Sequence, residues 1–147
     1  LTQVCWTIAG YKFSSIDSKY LSFNVMVRAY NPSFLSVDIK GYNIDVFLNG
    51  TPVSNIENNK AHTLESKKTS ILTVPINVDY KNSLDKIKSK EVIGYFLTQE
   101  FDKIELHMKG KFKGTLMAIP VSMKIDFKYT LAEILKIMNE PSTECPK

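Results

Sequence analysis

The chain has 147 residues, of which 44% are hydrophobic and 23% charged, and its formal net charge is +4. This size suits one domain, and the composition is that of an ordinary soluble globular protein, with no apolar run long enough to span a membrane. Because Arg28 is the only arginine among 19 basic residues, and bidentate recognition of phosphates and bases favours arginine, the composition argues against nucleic-acid binding.

Alternating apolar and polar residues, the pattern of half-buried strands, dominate the first part of the chain. In-phase apolar residues over 4–8 predict an opening strand, with Val4, Trp6 and Ile8 on one side. A second strand alternates over 23–29 and stops at Asn31-Pro32, because proline cannot donate to a ladder and holds the preceding residue extended.

The next predicted strand changes phase in its middle. Its apolar residues occupy odd positions over 37–39 and even positions over 42–48. One inserted residue at Lys40-Gly41, a β-bulge, would produce this shift. Asn49-Gly50 ends the strand in a dipeptide suited to a tight hairpin turn, and its overlap with a glycosylation sequon, Asn49-Gly50-Thr51, is explained by that turn.

The middle of the chain predicts a polar loop, a strand and a short helix. Residues 55–68 form the loop, and residues 72–80 alternate as a strand with Pro75 on the polar side, which favours an edge position. Ser83 then caps a predicted helix that runs to about Thr98.

A long β-hairpin, from Ile104 to Leu131, is the strongest local pattern, and Gly114-Thr115 supplies its predicted turn. The polar face carries a row of lysines that allows two interpretations. Either they are surface lysines that prevent strand-to-strand aggregation, which we favour, or they contact an acidic partner or an anionic surface. The row consists of Lys109, Lys111 and Lys113, facing Lys124 and Lys128.

An amphipathic helix is predicted after the hairpin, ending at Glu140-Pro141. Its apolar stripe either packs back on the sandwich or docks into a groove on a partner protein, in which case the stripe is a partner contact. The stripe consists of Leu131, Ile134, Leu135 and Met138. The predicted organisation is therefore a β-sandwich over 1–131 followed by a helix and polar tail over 132–147.

Cys5 and Cys145 lie at opposite ends of the chain, so a disulfide between them requires the termini to meet. Two free thiols in a reducing compartment are the favoured expectation. No signal segment opens the chain, and Val4 stands where a lipid-attachment box needs a small residue before the cysteine. We expect a soluble or assembly-associated protein.

No catalytic or metal-binding motif is present in the sequence. His107 lies among lysines on the polar face of the hairpin, and His62 falls in the predicted polar loop, so both are interpreted as surface residues. Neither cysteine has a nearby histidine, and no glycine-rich phosphate loop occurs. The sequence therefore predicts a non-enzymatic protein without a cofactor, a metal or an identifiable small-molecule substrate.

The order of the strand motifs resembles the type 2 late embryogenesis abundant proteins, also called the water-stress and hypersensitive-response domain. The shared features are a strand ending in Asn31-Pro32, a strand ending in Asn49-Gly50, the apolar-Pro-apolar core at Val74-Pro75-Ile76, and the closing hairpin within 103–127. The resemblance covers about 23–127. It implies an antiparallel Greek-key β-sandwich of the immunoglobulin or fibronectin type, with one short crossing helix and no enzymatic activity.

Two functional hypotheses follow. The first is a structural subunit of a larger assembly, such as a phage virion or a cell-envelope complex, that acts through protein–protein contacts. The extra carboxyl-terminal helix and the lysine-rich and asparagine-rich composition are compatible with it. The second, implied by the resemblance, is a monomeric stress-protection or ligand-binding module of the late embryogenesis abundant type.

Overall fold

Two antiparallel sheets stack face to face in the computed structural model, which describes residues 4–16, 20–79 and 86–139, with side chains in the first helix from residue 90 onwards. The strands are β1 (Cys5–Ile16), β2 (Tyr20–Tyr30), β3 (Val37–Leu48), β4 (Thr51–Asn58), β5 (His62–Leu64), β6 (Thr69–Asp79), β7 (Glu105–Leu116) and β8 (Ile119–Thr130). The helices are α1 (Lys86–Leu97) and α2 (Leu131–Asn139), with a 3-10 turn at Phe101–Lys103.

The strand order confirms the predicted β-sandwich. One sheet has the order β1-β2-β6, and the other has the order β4-β3-β7-β8, with β5 also pairing with β3. The chain passes between the sheets three times: from β2 to β3, back from β5 to β6, and again from β6 to β7. These crossings give the Greek-key connectivity of immunoglobulin-like domains.

The core lies between the sheets and is built by the predicted alternation. Phe23, Val25 and Val27 of β2 are at most 2% exposed, and so are the facing residues of β3 and β7. Trp6 of the first sheet stacks on Phe112 of the second, with ring centroids 4.3 Å apart. Burial of these side chains supplies the main driving force for folding, at about 25 cal/mol per Å² of apolar surface.

Two irregular features of β3 match the sequence. The register between β3 and β7 shifts between Ile39 and Gly41, which confirms the predicted bulge. The turn at Asn49-Gly50 is also confirmed, with φ values of 49° and 80°. β6 lies at the edge of its sheet, as Pro75 predicted.

Other strand predictions were incomplete. β1 continues past Ile8 to Ile16. The prediction stopped at Ile8 because two register shifts, after Ile8 and after Phe13, interrupt the alternation of apolar and polar residues. The predicted polar loop over 55–68 contains the end of β4 and all of β5, so His62 belongs to a strand. β4 is an edge strand with few buried residues, which leaves little hydrophobic pattern to detect.

The turn of the closing hairpin was placed wrongly. Gly114-Thr115 lies inside β7, and the turn falls at Met117 and Ala118. Both turn residues have positive φ, at 50° and 65°. A left-handed conformation costs a non-glycine residue about 1–2 kcal/mol, so this turn carries more conformational strain than the turn at Asn49-Gly50.

Both predicted helices are present. The proposed cap of α1, Ser83, lies outside the described residues. α2 begins with a capping box: Glu133 N donates to Thr130 Oγ1 at 3.1 Å, and Thr130 N donates to Glu133 Oε1 at 2.9 Å. α2 packs against β1, since a Cβ on Gly10 would lie 2.7 Å from Met138 Cγ.

The expectation of free thiols is wrong for Cys5, which is disulfide-bonded. The described residues contain no free cysteine. Cys145 lies outside the described residues. A disulfide is typical of proteins that fold in an oxidising environment, so the inference of a reducing compartment loses its support.

Candidate functional site

The lysine row lies on the outer face of the second sheet, where the predicted alternation places it. Lys109, Lys111 and Lys113 are all exposed and belong to β7, an inner strand of the sheet. They therefore do not protect a sheet edge. Lys124 and Lys128, by contrast, belong to the edge strand β8, which fits the interpretation that they prevent aggregation.

Carboxylates interrupt the positive charge of this face. Lys109 pairs in register with Asp126 on one side and with Asp45 on the other. Lys111 and Lys124 stand directly opposite each other, as like charges. Because opposite and like charges alternate across the face, the row does not form one uniform positive patch.

His107 is held by its neighbours on the same face. Its Nε2 lies 2.6 Å from Asp126 Oδ1, and its ring packs 5.4 Å from that of Phe47. His62 is exposed on β5. Within the described residues, no three histidine, cysteine, aspartate or glutamate side chains are grouped so that they could hold a metal ion.

The apolar stripe of α2 packs back on the sandwich, which was one of the two alternatives. Leu131 and Ile134 have no exposed surface, and Leu131 N donates to Ile104 O at 2.9 Å. These two residues are therefore corrected from partner contacts to core residues. Leu135 is half-buried, while Met138 remains 40% exposed.

A different feature of the described residues, an apolar cleft between β1 and the end of α1, is a candidate binding site. It has a volume of about 350 Å³, within the range of about 300–1,000 Å³ for small-molecule sites. The cleft is lined by Tyr11, Phe13, Ile16, Phe96, Leu97, Gln99 and Phe101.

Aromatic rings form the walls of the cleft. Phe96 lies 6.2 Å from Phe13 and 6.5 Å from Phe101, measured between ring centroids, and it also contacts the core at Phe23. Phe13 is 43% exposed and Leu97 is 69% exposed, so both present apolar surface at the opening. The walls are thus anchored in the core, and the rim is accessible.

The end of α1 positions Gln99 at the cleft. Glu100 N donates to Tyr95 O at 2.9 Å and Gln99 N donates to Phe96 O at 3.3 Å, which is the hydrogen-bond pattern of a Schellman motif. The left-handed position of this motif usually holds glycine, but here Gln99 occupies it with φ 58°. The chain therefore places a polar side chain there despite the conformational cost.

Tyr11 is the ionisable group in the cleft wall. Burial raises the pKa of its hydroxyl above the ordinary value of 10.0, because the charged form is disfavoured away from water. Tyr11 is therefore neutral at pH 7, and no other residue of the lining carries a charge. The cleft offers an apolar surface with two uncharged polar groups, the Tyr11 hydroxyl and the Gln99 amide.

The sequence analysis missed this cleft because it did not extend β1 far enough. Tyr11 and Phe13 alternate in a strand pattern, but the register shift after Ile8 separates them from the phase of Trp6 and Ile8. The remaining signal was the aromatic content of residues 95–101, which lie at the end of the predicted helix and just after it.

The strand order and the cleft define an immunoglobulin-like β-sandwich with an apolar cleft at one end. The profile of the late embryogenesis abundant protein family, LEA_2, matches residues 26–130, which is 105 of the 147 residues. The chain belongs to this family. No curated protein is significantly similar to it in sequence.

Solved structures share the fold at low sequence identity. A Bordetella pertussis protein assigned to ApaA has a TM-score of 0.57 at 11% identity, covering 88% of this chain and 94% of that chain. The protein AT1g01470 of Arabidopsis thaliana has a TM-score of 0.54 at 14% identity, covering 88% of this chain and 83% of that chain. These similarities establish the fold alone.

The family assignment bears on the two functional hypotheses. It supports a module of the late embryogenesis abundant type, and none of the similarities supports a virion or cell-envelope subunit. Neither helix in the described residues is long and apolar enough to cross a bilayer.

Proposed function

We propose that this chain is a non-enzymatic binding module whose cleft takes an uncharged, mainly apolar small molecule. The observation that carries the proposal is the lining of the cleft, which consists of five apolar side chains together with Tyr11 and Gln99. An apolar ligand would replace water against these side chains, at about 25 cal/mol per Å² of buried surface.

The polar groups of the cleft define the ligand more closely. A ligand with one hydroxyl, ester or amide group could hydrogen-bond to Tyr11 or Gln99 while its apolar part contacts the rings. A charged headgroup would find no opposite charge in the lining, and its desolvation would be uncompensated. We therefore expect a neutral ester to bind more tightly than the carboxylate with the same carbon chain.

The test is a titration of the full chain with Nile red, an uncharged dye that fluoresces in apolar sites, followed by competition with methyl decanoate and with decanoate. The ester should displace the dye at a concentration at least about tenfold lower than the carboxylate, because the carboxylate must lose its hydration. Equal displacement by the two competitors would contradict the proposal.

A matched pair of variants locates the binding. Leu97→Lys places a charge at the cleft, in the last turn of α1, where a cation also complements the helix dipole. Ile71→Lys introduces the same charge at another exposed apolar residue, outside the cleft lining. Dye binding should weaken with Leu97→Lys and remain unchanged with Ile71→Lys. Unchanged binding by both variants would place the dye elsewhere.

Membership of the late embryogenesis abundant family supports a second candidate function, the protection of client proteins under water stress. This candidate predicts that a client enzyme dried with the chain keeps more activity than one dried with the same mass of an inert protein. Equal recovery in the two samples would count against protection and would leave the ligand-binding proposal unaffected.

A further inference from the structure

Two segments with exposed apolar side chains meet at one end of the sandwich, opposite the cleft. Asp38, near the start of β3, pairs with Thr115 of β7 on one side and with Thr63 of β5 on the other. Residues 33–36, which precede β3, and residues 116–119, which comprise the turn between β7 and β8 and one strand residue on each side, therefore lie at the same end of the sheet. We call these two segments the apical loops.

The apical loops carry a large share of the exposed apolar surface of the described residues. Phe34 is 87% exposed, Met117 is 72% exposed and Ile119 is 65% exposed, and Leu35 beside Phe34 is 42% exposed. Single exposed apolar residues are ordinary, but several at one end of a fold often mark an interaction site.

Phe34 is exposed on a loop that is firmly held by hydrogen bonds. Asn31, which is fully buried, donates through Nδ2 to Leu35 O at 2.9 Å and accepts at Oδ1 from Ser33 N at 3.0 Å. Ser66 Oγ donates to Ser33 O at 2.6 Å. The loop therefore presents the Phe34 ring to solvent in a defined position.

The second apical loop exposes its apolar residues in a turn with a strained backbone conformation. Met117 and Ala118 have φ values of 50° and 65°, whereas the turn at the other end of the sandwich uses Asn49 and Gly50, for which such values cost little. The turn at the other end is therefore less strained, whereas this turn places Met117 and Ala118 in the left-handed conformation and leaves Met117 72% exposed. Strained residues of this kind are enriched at functional sites.

Lysines surround the apical loops. Lys67 Nζ lies 4.7 Å from the centre of the Phe34 ring, and Lys68, the next residue in the same turn, forms an exposed ion pair with Glu65 at 2.9 Å. Exposed Lys40 and Lys113 lie on the adjoining ends of β3 and β7. The carboxylates nearby are Asp38, Glu65 and, further along the outer face, Glu57. The end of the sandwich is therefore apolar at its tip and carries several lysines around it.

We propose that the apical loops dock the protein onto a lipid bilayer with anionic headgroups. The side chains of Phe34, Met117 and Ile119 would enter the interfacial region, and the surrounding lysines would contact the phosphates and carboxylates of the headgroups. This site is separate from the cleft and does not depend on ligand binding there.

Two features favour a bilayer over a protein partner. The apolar side chains project from two narrow turns, and a lipid interface accepts such tips without a complementary surface. A stable protein interface instead buries about 800 Å² on each side over a continuous patch. The lysines around the tip also match the negative potential of an anionic membrane, which attracts basic residues within about a Debye length of its surface.

The test is flotation of the full chain with vesicles of phosphatidylcholine alone and of phosphatidylcholine mixed with phosphatidylserine. The chain should float with the mixed vesicles and not with the neutral ones, and raising the salt concentration should reduce binding. Failure to float with the mixed vesicles, or equal binding to both kinds, would overturn the proposal.

A double substitution in the second apical loop tests the contact with the bilayer while keeping the protein folded. Met117→Asn with Ala118→Gly gives this turn the residue types found at Asn49 and Gly50, so thermal stability should be kept or raised. Removing Met117 from the interface should still weaken vesicle binding at least about tenfold. Phe34→Ser should have a similar effect, whereas Ile71→Ser, at an apolar residue outside the loops, should have none.

Unchanged vesicle binding by the apical variants would place the contact elsewhere and overturn the proposal. If the wild-type chain instead forms dimers by light scattering, the double variant is monomeric and neither protein floats with vesicles, then the apical loops form a protein interface. That outcome would also overturn docking onto a bilayer.

Discussion

The side-chain amide of Asn31 donates a hydrogen bond to the backbone carbonyl of Leu64 across 3.0 Å, in the interior of the protein. Asn31 follows β2 and Leu64 ends β5, so this bond ties the first sheet to the second. Backbone bonds strengthen the connection: Asn31 N donates to Lys68 O, and Lys67 N donates to Asn31 O. The Asn-Pro motif therefore does more than stop a strand, since it joins two loops at one end of the sandwich.

Asn31→Ala should destabilise the protein by about 2–4 kcal/mol, because it leaves the buried carbonyl of Leu64 without its donor and opens a small cavity. Urea unfolding followed by the fluorescence of Trp6 measures the change. Asn77→Ala, on β6, is the matched control: it removes only a solvent-exposed hydrogen bond from Ser22 Oγ and should change stability by less than about 1 kcal/mol. Equal effects of the two substitutions would contradict the role of the Asn31 amide.

Asn49 has a related role at the opposite end of the sandwich. Its Nδ2 donates to Lys103 O at 2.9 Å, and its Oδ1 accepts from Glu105 N at 2.7 Å, while its φ is 49°. Asn49→Ala should lose both bonds and add left-handed strain, at a cost of about 2–3 kcal/mol. Asn49→Gly should cost less, because only the bonds are lost. Denaturant midpoints of the two variants give the order, and a larger loss with glycine would contradict this explanation.

The sequence was sufficient to predict the sandwich because most strands alternate cleanly. In β3 even the phase change at Lys40-Gly41 was informative, since the bulge there is visible as a shift of the apolar positions. The closing hairpin was predicted to within one residue at each end. Its turn was placed wrongly because Gly114 is a better turn residue than Met117, and only the register of β7 with β8 distinguishes them.

The cleft and the apical loops could not be predicted in the same way. Each depends on segments that are distant in sequence: residues 11–16 with 96–101 in the cleft, and residues 33–36 with 116–119 in the apical loops. The alternation of apolar and polar residues predicts on which side of the sheet each side chain lies. It does not predict which loops lie at the same end of the sandwich. That information comes from the strand order, which the sequence analysis did not specify.

Substitution of two glycines by alanine should change the free energy of unfolding in opposite directions. A Cβ on Gly110 would overlap the carbonyl oxygen of Asn43 and lie 2.7 Å from Ile44 Cα, whereas a Cβ on Gly94 in α1 has nothing within 4 Å. Gly94→Ala should stabilise by about 0.5–1 kcal/mol through helix propensity, and Gly110→Ala should destabilise by about 2 kcal/mol or more through backbone displacement. Thermal unfolding measures both, and stabilisation by both would contradict the tight packing of β7 on β3.

α2 should behave as part of the core. Ile134→Ala removes a fully buried side chain and should cost about 2–4 kcal/mol, whereas Met138→Ala, at a residue that is 40% exposed, should cost less than about 1.5 kcal/mol. Denaturant unfolding gives the two values. A small effect of Ile134→Ala would instead mean that α2 leaves the sandwich easily, which would restore the hypothesis of a helix that docks on a partner.

Stability should fall in alkaline solution because two tyrosines are half-buried. Burial raises the pKa values of Tyr11 and Tyr42 above 10.0, and for Tyr42 the hydrogen bond from Asn58 partly opposes the shift. The folded state then holds these protons more tightly than the unfolded chain, so the stabilisation is complete below about pH 10 and is lost as the pH rises through the folded values.

Tyr11→Phe with Tyr42→Phe should flatten the decline in unfolding free energy above about pH 10, while each single variant removes part of it. An unchanged slope in the double variant would assign the alkaline loss to other groups. Occupation of the cleft provides a second measurement, because a bound apolar ligand would bury Tyr11 further. Tyrosinate absorbance should then titrate at higher pH with 1-decanol, an uncharged ligand that is stable in alkali, present in the wild type and in Tyr42→Phe, but not in Tyr11→Phe.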